Sequence, residues 1–267
     1  MGKQKPLVVI KGAGDLATGV ALRLHCANFA VVMTEIENPT AIRRTVSISR
    51  AIREKTATVE DITGVFASDA ADALRIVSVG NIAVLADEEA ACVKALKPAA
   101  LVDAILAKRN TGTKITDAPI VVALGPGFTA GVDCHAAVET MRGHDLGRVY
   151  YEGSPHPDTK EPGSIDGFTF ERVMHAPEKG MFRAVRNIGD TVEAGETVAY
   201  VNDAPVKAKI KGTLRGILPD GISVPKGMKC ADVDPRCELR HCFTVSDKAR
   251  ALGGAVLEAI LHFSTQE

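Results

Sequence analysis

Two glycine-rich stretches carry the residue types that hold anions. The first, Lys11-Gly12-Ala13-Gly14-Asp15-Leu16-Ala17, follows the apolar run 7–10. The second, Gly125-Pro126-Gly127-Phe128, follows the apolar run 120–124. Gly12-x-Gly14-x-x-Ala17 matches the dinucleotide fingerprint with alanine in its third place. Its first glycine allows a tight turn, its second lets backbone approach a pyrophosphate, and its small third residue lets helix and strand pack closely. Glu35 lies 23 residues after Gly12, about where a carboxylate would meet a ribose. Asp15 would repel a phosphate if it turned inward. Gly125 and Gly127 open a turn whose amides could cradle an anion, less one donor at Pro126.

Further charged candidates follow. Arg142, His144 and Arg148 stand between glycines, so two guanidiniums and an imidazole could clamp phosphate or carboxylate. A solvated helix end is the competing reading. Cys134 beside His135 falls at the expected start of a helix, where a thiol can be acidified; a buried inert cysteine is the ordinary alternative. Arg43 and Arg44 could reach the same crevice or be plain surface charges. Cys230, Cys237, Cys242 and His241 match no common zinc spacing, so no metal site is expected.

The elements that must position these residues alternate. Strands are expected at 7–11, 30–35, 82–86 and 119–124, and helices at 15–27, 88–96 and 133–141, with 99–106 ambiguous. This rhythm predicts an α/β, Rossmann-like parallel sheet over residues 1–150. Both glycine turns would then share the carboxyl edge, and Gly12, Gly14, Gly125, Gly127, Arg142 and Arg148 would border one cleft. Residues 152–163 are rich in Pro, Gly and polar types and read as a linker. Short strands separated by turns follow, giving a β-rich module over 160–235. A last helix is expected within 243–267, capped by Ser246, its apolar face packing on the first domain.

The 267 residues are 46% hydrophobic with a net charge of −1, which argues against a nucleic-acid surface. No apolar run reaches the roughly 18 residues of a membrane span. The start shows no secretory pattern, so the expected location is cytoplasmic.

Residues 176–218 resemble a biotinyl/lipoyl-type barrel-sandwich hybrid, through Gly180, the run Ile188-Gly189-Asp190-Thr191-Val192-Glu193-Ala194-Gly195 and Ile210-Lys211-Gly212. The hairpin Asn202-Asp203-Ala204-Pro205-Val206-Lys207 lacks the modifiable lysine motif, so covalent biotin or lipoate is not expected. Nearly the whole chain resembles the YqeB family. The carrying blocks include Ile10 to Gly19, Met33 to Ser47, Ala123 to Phe128, Glu139 to Val149, Asp232 to Arg236 and Ser246 to Arg250. The Leu-Gly-Pro-Gly-Phe and Arg-Gly-His-x-Leu-Gly-Arg stretches are also similar to XdhC.

That resemblance implies an accessory factor of selenium-dependent molybdenum hydroxylases. It would bind a molybdopterin-type cofactor or a dinucleotide, act on a hydroxylase client, and carry a persulfide or selenide on Cys134 if exposed. A homo-oligomer is compatible with it. Two other classes compete. An NAD(P)-dependent oxidoreductase has the fingerprint and Glu35, without a readable hydride site. A docking scaffold would use the β module and last helix alone.

Overall fold

A computed structural model describes residues 5–265, and the chain divides into two compact units. The first comprises the stretches up to Pro39, Ser47–Thr159 and from Val245 onward. The second comprises Thr40–Val46 and Lys160–Thr244.

The first unit is built on β1 (Leu7–Lys11), α1 (Asp15–Cys26), β2 (Ala30–Glu35), α2 (Ala51–Glu54), β3 (Thr56–Val59), β4 (Ile62–Ala67), α3 (Ala70–Ser78), β5 (Ile82–Ala86), α4 (Val93–Leu96), β6 (Ala100–Asp103), β7 (Ile120–Leu124), β8 (Ala136–Val138), β9 (Val149–Tyr150) and α5 (Asp247–Ser264). Its nine strands are ordered β3-β4-β5-β2-β1-β6-β7-β8-β9. The seven strands from β4 to β8 are parallel; β3 and β9 close the two edges antiparallel. The central strands are continuous apolar runs because both of their faces are covered. Val9, Val32, Leu101 and Val121 point to a core shared with Ala73 and Ile76 of α3 and Leu96 of α4. Alternate residues such as Val8 and Ile10 point to the other face. There α1 packs on α5, and α5 also touches β7, β8 and β9.

The α1–α5 crossing is close because it is made of small residues. A Cβ on Gly19 would fall 2.6 Å from Ala249 Cβ, and one on Gly253 would fall 2.8 Å from Gly19 O. The side chain of Ser246 caps α5 by accepting from the Ala249 amide at 3.2 Å. Among the described residues no helix is long and apolar enough to cross a membrane.

The second unit contains β10 (Val173–His175), β11 (Gly180–Ala184), β12 (Thr191–Val192), β13 (Thr197–Val201), β14 (Ala204–Lys207), β15 (Gly212–Ile217), β16 (Ser223–Val224) and β17 (Lys229–Asp234). They form two four-stranded antiparallel sheets, β10-β17-β15-β12 and β14-β13-β11-β16, around Met174, Phe182, Val198, Leu214 and Ile217. Residues 40–46 lie against β15. Ile217 donates its amide to Ile42 O at 2.8 Å, and Arg44 Nε donates to Ile217 O at 2.8 Å.

The fold class differs from the expected one. A Rossmann-like domain needs a helix crossing between successive parallel strands. Here residues 104–119, between β6 and β7, hold no helix, and neither does the connection from β7 to β8. The sheet is mixed, with two antiparallel edges. The expected helix at 133–141 is instead β8, whose Ala-Ala-Val run is fully buried beside β7. The stretch expected as a helix at 88–96 forms only the four residues of α4. The second unit is a pair of four-stranded antiparallel sheets, and the expected barrel-sandwich hybrid is not confirmed.

Candidate functional site at the carboxyl edge of the sheet

Strands β1 and β7 both flank β6 in parallel, so the turns that follow them open at one edge. What meets them there is the chain itself. Gly12 has φ +94°, and a Cβ on it would lie 2.9 Å from Ala104 O. Gly127 also has φ +94°, and its Cβ would lie 2.5 Å from Arg109 Cα. Gly125 turns toward Thr140. The segment 104–113 therefore packs directly against the turns at Gly12 and Gly127. Gly14 differs from both. Its φ is −66°, and a Cβ there would meet nothing within 4 Å. Ala17 is buried in α1.

Glu35 also serves the chain. Its carboxylate accepts from the Ala13 amide at 3.0 Å and the Ile36 amide at 2.9 Å, which fixes the first turn. Burial pushes its pKa up, against the pull of those two amides. Cys134 is fully buried between β7 and β8, not at a helix start. Its thiol is pushed up to about 12, first by burial and then by the Asp133 charge, so thiolate chemistry at neutral pH is lost. Arg148 is exposed and pairs with Asp145 at 3.1 Å, and His144 is exposed. Both glycine turns open at one edge, as expected, and segment 104–113 packs against Gly12 and Gly127 there.

A different set converges at this edge. Segment 104–113 is fastened by buried charges at the strand ends. Lys11 Nζ donates to Thr113 Oγ1 at 2.9 Å, and Thr113 Oγ1 donates to Asp103 Oδ2 at 2.6 Å. Lys11 and Asp103 are register partners across β1 and β6. Asn110 takes the amides of Gly112 and Thr113, each at 2.8 Å. Within the segment Leu106 (φ 62°) and Lys108 (φ 64°) hold left-handed backbone, a cost of roughly 1–2 kcal/mol each for residues with a Cβ. Strain held by an over-determined loop is characteristic of functional positions.

Lys108 presents its ammonium here and pairs with Asp158 at 3.1 Å. Arg142, after β8, makes a two-pronged bond to Asp247 at 2.7 and 2.8 Å. Lys248, in the first turn of α5, is half-buried, and among the described residues its ammonium has no hydrogen-bond partner. Burial lowers the Lys248 pKa, and the charges of Lys108 and Arg142 lower it further. Asp15 and Glu139 pull the other way. Glu139 accepts from the Met141 amide at 2.7 Å and from the His156 amide and Nδ1 at 2.8 Å each. Burial would raise the Glu139 pKa; the hydrogen bonds from Met141 and His156 outweigh it and hold the carboxyl below its ordinary value. Three cations, Lys108, Arg142 and Lys248, and four carboxylates, Asp15, Glu139, Asp158 and Asp247, thus lie at the edge, and the Lys248 ammonium is the cation without a hydrogen-bond partner among the described residues. Of the residues singled out in the sequence, only Asp15 and Arg142 belong to this group. Lys108, Glu139, His156 and Lys248 carried no glycine or spacing signal.

No family model matches the chain. Over 255 residues, 96% of its length, it is 48% identical to the uncharacterized protein YqeB of Escherichia coli strain K12. The chain is a relative of YqeB. It spans about half that relative's length, 47%. Solved structures with some likeness include an aspartoacylase family protein from Mesorhizobium loti, 12% identical, covering 88% of this chain and 86% of that one, with a TM-score of 0.29. Others are a succinylglutamate desuccinylase/aspartoacylase from Rhodobacter sphaeroides (13%, 86% and 85%, 0.29) and the ectoine utilization protein EutE from Ruegeria pomeroyi (10%, 86% and 85%, 0.26). Likenesses of this size carry no argument about fold or chemistry.

Proposed function

We propose that the chain is a cytoplasmic accessory factor for selenium-dependent molybdenum hydroxylases, holding an anionic ligand of molybdopterin or nucleotide type at the sheet edge and working on a hydroxylase client. The kinship with YqeB over nearly the whole chain supports the family context. The observation that carries the ligand reading is Lys248, a half-buried ammonium without a hydrogen-bond partner, beside Lys108 and Arg142. The partner of Arg142, Asp247, is 72% exposed, and such a surface pair contributes at most about 1 kcal/mol. An incoming phosphate can exchange with it at little cost and gain the fork geometry of the guanidinium.

The glycine turns play a supporting part in this reading: they let segment 104–113 pack close and so place Lys108. Glu139, braced by His156 and the Met141 amide, orients the strand end from which Arg142 projects. The test is thermal stabilisation of the anaerobically purified protein by molybdopterin. The expected result is a rise in Tm for wild type that is lost in Lys248→Met. Stabilisation of equal size in the variant would refute the site, and no stabilisation by molybdopterin or by nucleotides would refute the ligand class.

A further inference from the structure

The second unit contains a buried guanidinium whose charge its neighbours leave poorly matched. Arg215 projects from β15 and is 6% exposed. Its Nε has no hydrogen-bond partner among the described residues. Its ion-pair contact, Asp234 Oδ2 on β17, lies at 3.7 Å, beyond hydrogen-bond reach. That oxygen already takes a 2.6 Å bond from Arg236 Nη2, while Oδ1 takes the Arg236 Nε and backbone amide at 2.9 and 3.1 Å. Asp232, the other carboxylate of β17, is engaged by Arg172 at 2.8 Å. Beside Arg215, His241 Nδ1 is also buried without a hydrogen-bond partner, 3.8 Å from the same Asp234 oxygen.

A buried arginine normally has its donors satisfied, because an unpaired polar group in the interior costs about 1–3 kcal/mol and a charge costs more. Two nitrogens from different elements, one on β15 and one on the turn Leu239–Cys242, lie 3.7 and 3.8 Å from the same Asp234 oxygen without a hydrogen bond to it, while Arg236 engages that carboxylate through three bonds. The complementary group is an acceptor with at least two oxygens and a negative charge. Arginine's planar fork matches carboxylate and phosphate oxygens in pairs, which lysine cannot do.

We propose that Arg215 and His241 form a binding site for a small oxyanion group, phosphoryl or carboxylate, within the second unit. Arg215 supplies the charge and its donors. The neutral imidazole of His241, with its proton on Nδ1, supplies one further donor. This site involves none of the residues at the sheet edge of the first unit.

The experiment uses the full chain with isotope-labelled arginine. The Arg215 Nε–H resonance is followed while inorganic phosphate, and separately acetate, is titrated in. A saturable shift with phosphate alone assigns a phosphoryl group, and with acetate alone a carboxylate. A shift with both assigns a general oxyanion site; each of these supports the proposal. Arg215→Lys should weaken binding about tenfold or more, by the lost fork geometry, and His241→Gln should weaken it less. Lys248→Met should leave the titration unchanged, which separates this site from the one at the sheet edge. If neither anion moves the resonance, the proposal is overturned. It is equally overturned if folded His241→Gln and Arg215→Lys proteins bind as tightly as wild type. Should Arg215→Lys fail to fold, the wild-type titration and His241→Gln decide alone.

Discussion

Lys248 and Glu139 show how one site can be both costly and stabilising. The folded state lowers the Lys248 pKa, so between that value and 10.5 the unfolded chain binds more protons than the folded one. The charging cost is therefore complete below the folded pKa and fades as the pH rises toward 10.5. Lys248→Met should raise Tm near neutral pH, and the gain should shrink in alkali. A melt series against pH checks this; a variant less stable than wild type at pH 7 would show that the ammonium is structurally needed. Glu139 behaves in the opposite sense. Its pKa is held below 4.5, so its contribution is complete above that value and is lost as the pH falls through the folded pKa. Glu139→Ala removes three hydrogen bonds to a buried carboxylate and should cost roughly 2–4 kcal/mol at neutral pH. The gap from wild type should close in acid, as urea titrations at several pH values would reveal.

At the scale of elements, the glycines divide into those the backbone requires and those it does not. Gly127→Ala places a Cβ 2.5 Å from Arg109 Cα at a left-handed φ, so it should cost more than 2 kcal/mol, roughly the sum of backbone strain and overpacking. Gly14→Ala meets nothing within 4 Å at φ −66° and should cost about 1 kcal/mol or less as a weakened helix cap. Equal losses, measured by denaturant unfolding, would contradict the role given to segment 104–113. The crossing of α1 and α5 makes a second case. Gly19→Ala should destabilise by about 1–3 kcal/mol through overpacking. Ala249→Gly should rescue it only in part, because Ala249 O still lies 2.7 Å from the new methyl. Complete rescue would mean that the helices move apart freely.

At the scale of the whole molecule, each unit keeps its own core and the second borrows a piece of chain from far upstream. Residues 40–46 cover β15, and Gly216 leaves room for them: a Cβ there would lie 3.1 Å from Ile42 Cγ1 and 3.2 Å from its carbonyl. Gly216→Val should push Ile42 off and expose the Ile217 amide, which bonds to Ile42 O. Hydrogen exchange should then quicken at Ile217 while Val9 and Val102, in the central strands of the first unit, stay protected. Unchanged protection at Ile217 would show that β15 holds without the segment.

The runs at 7–11, 30–35, 82–86 and 120–124 declare buried strands by themselves, because unbroken apolar residues bounded by glycine or polar turns have few other stable fates. The helix after Gly14 and the one after Ser246 are equally legible, from helical spacing and a capping hydroxyl. Kinship with YqeB is likewise a property of the sequence. What the sequence could not decide is who uses each local signal. Gly12 and Gly127 look the same whether a ligand or residues 104–113 approach them, and only tertiary packing brings Ala104 and Arg109 into that space. Ala136 to Val138 favour a helix locally, yet an open strand edge at β7 claims them for the sheet. Lys108, Glu139 and Lys248 lie on three separate connections, so no spacing rule links them. Arg215 and His241 are likewise joined only by the folding of β15, β17 and the turn that carries His241. Long-range placement fixes which charges are buried together.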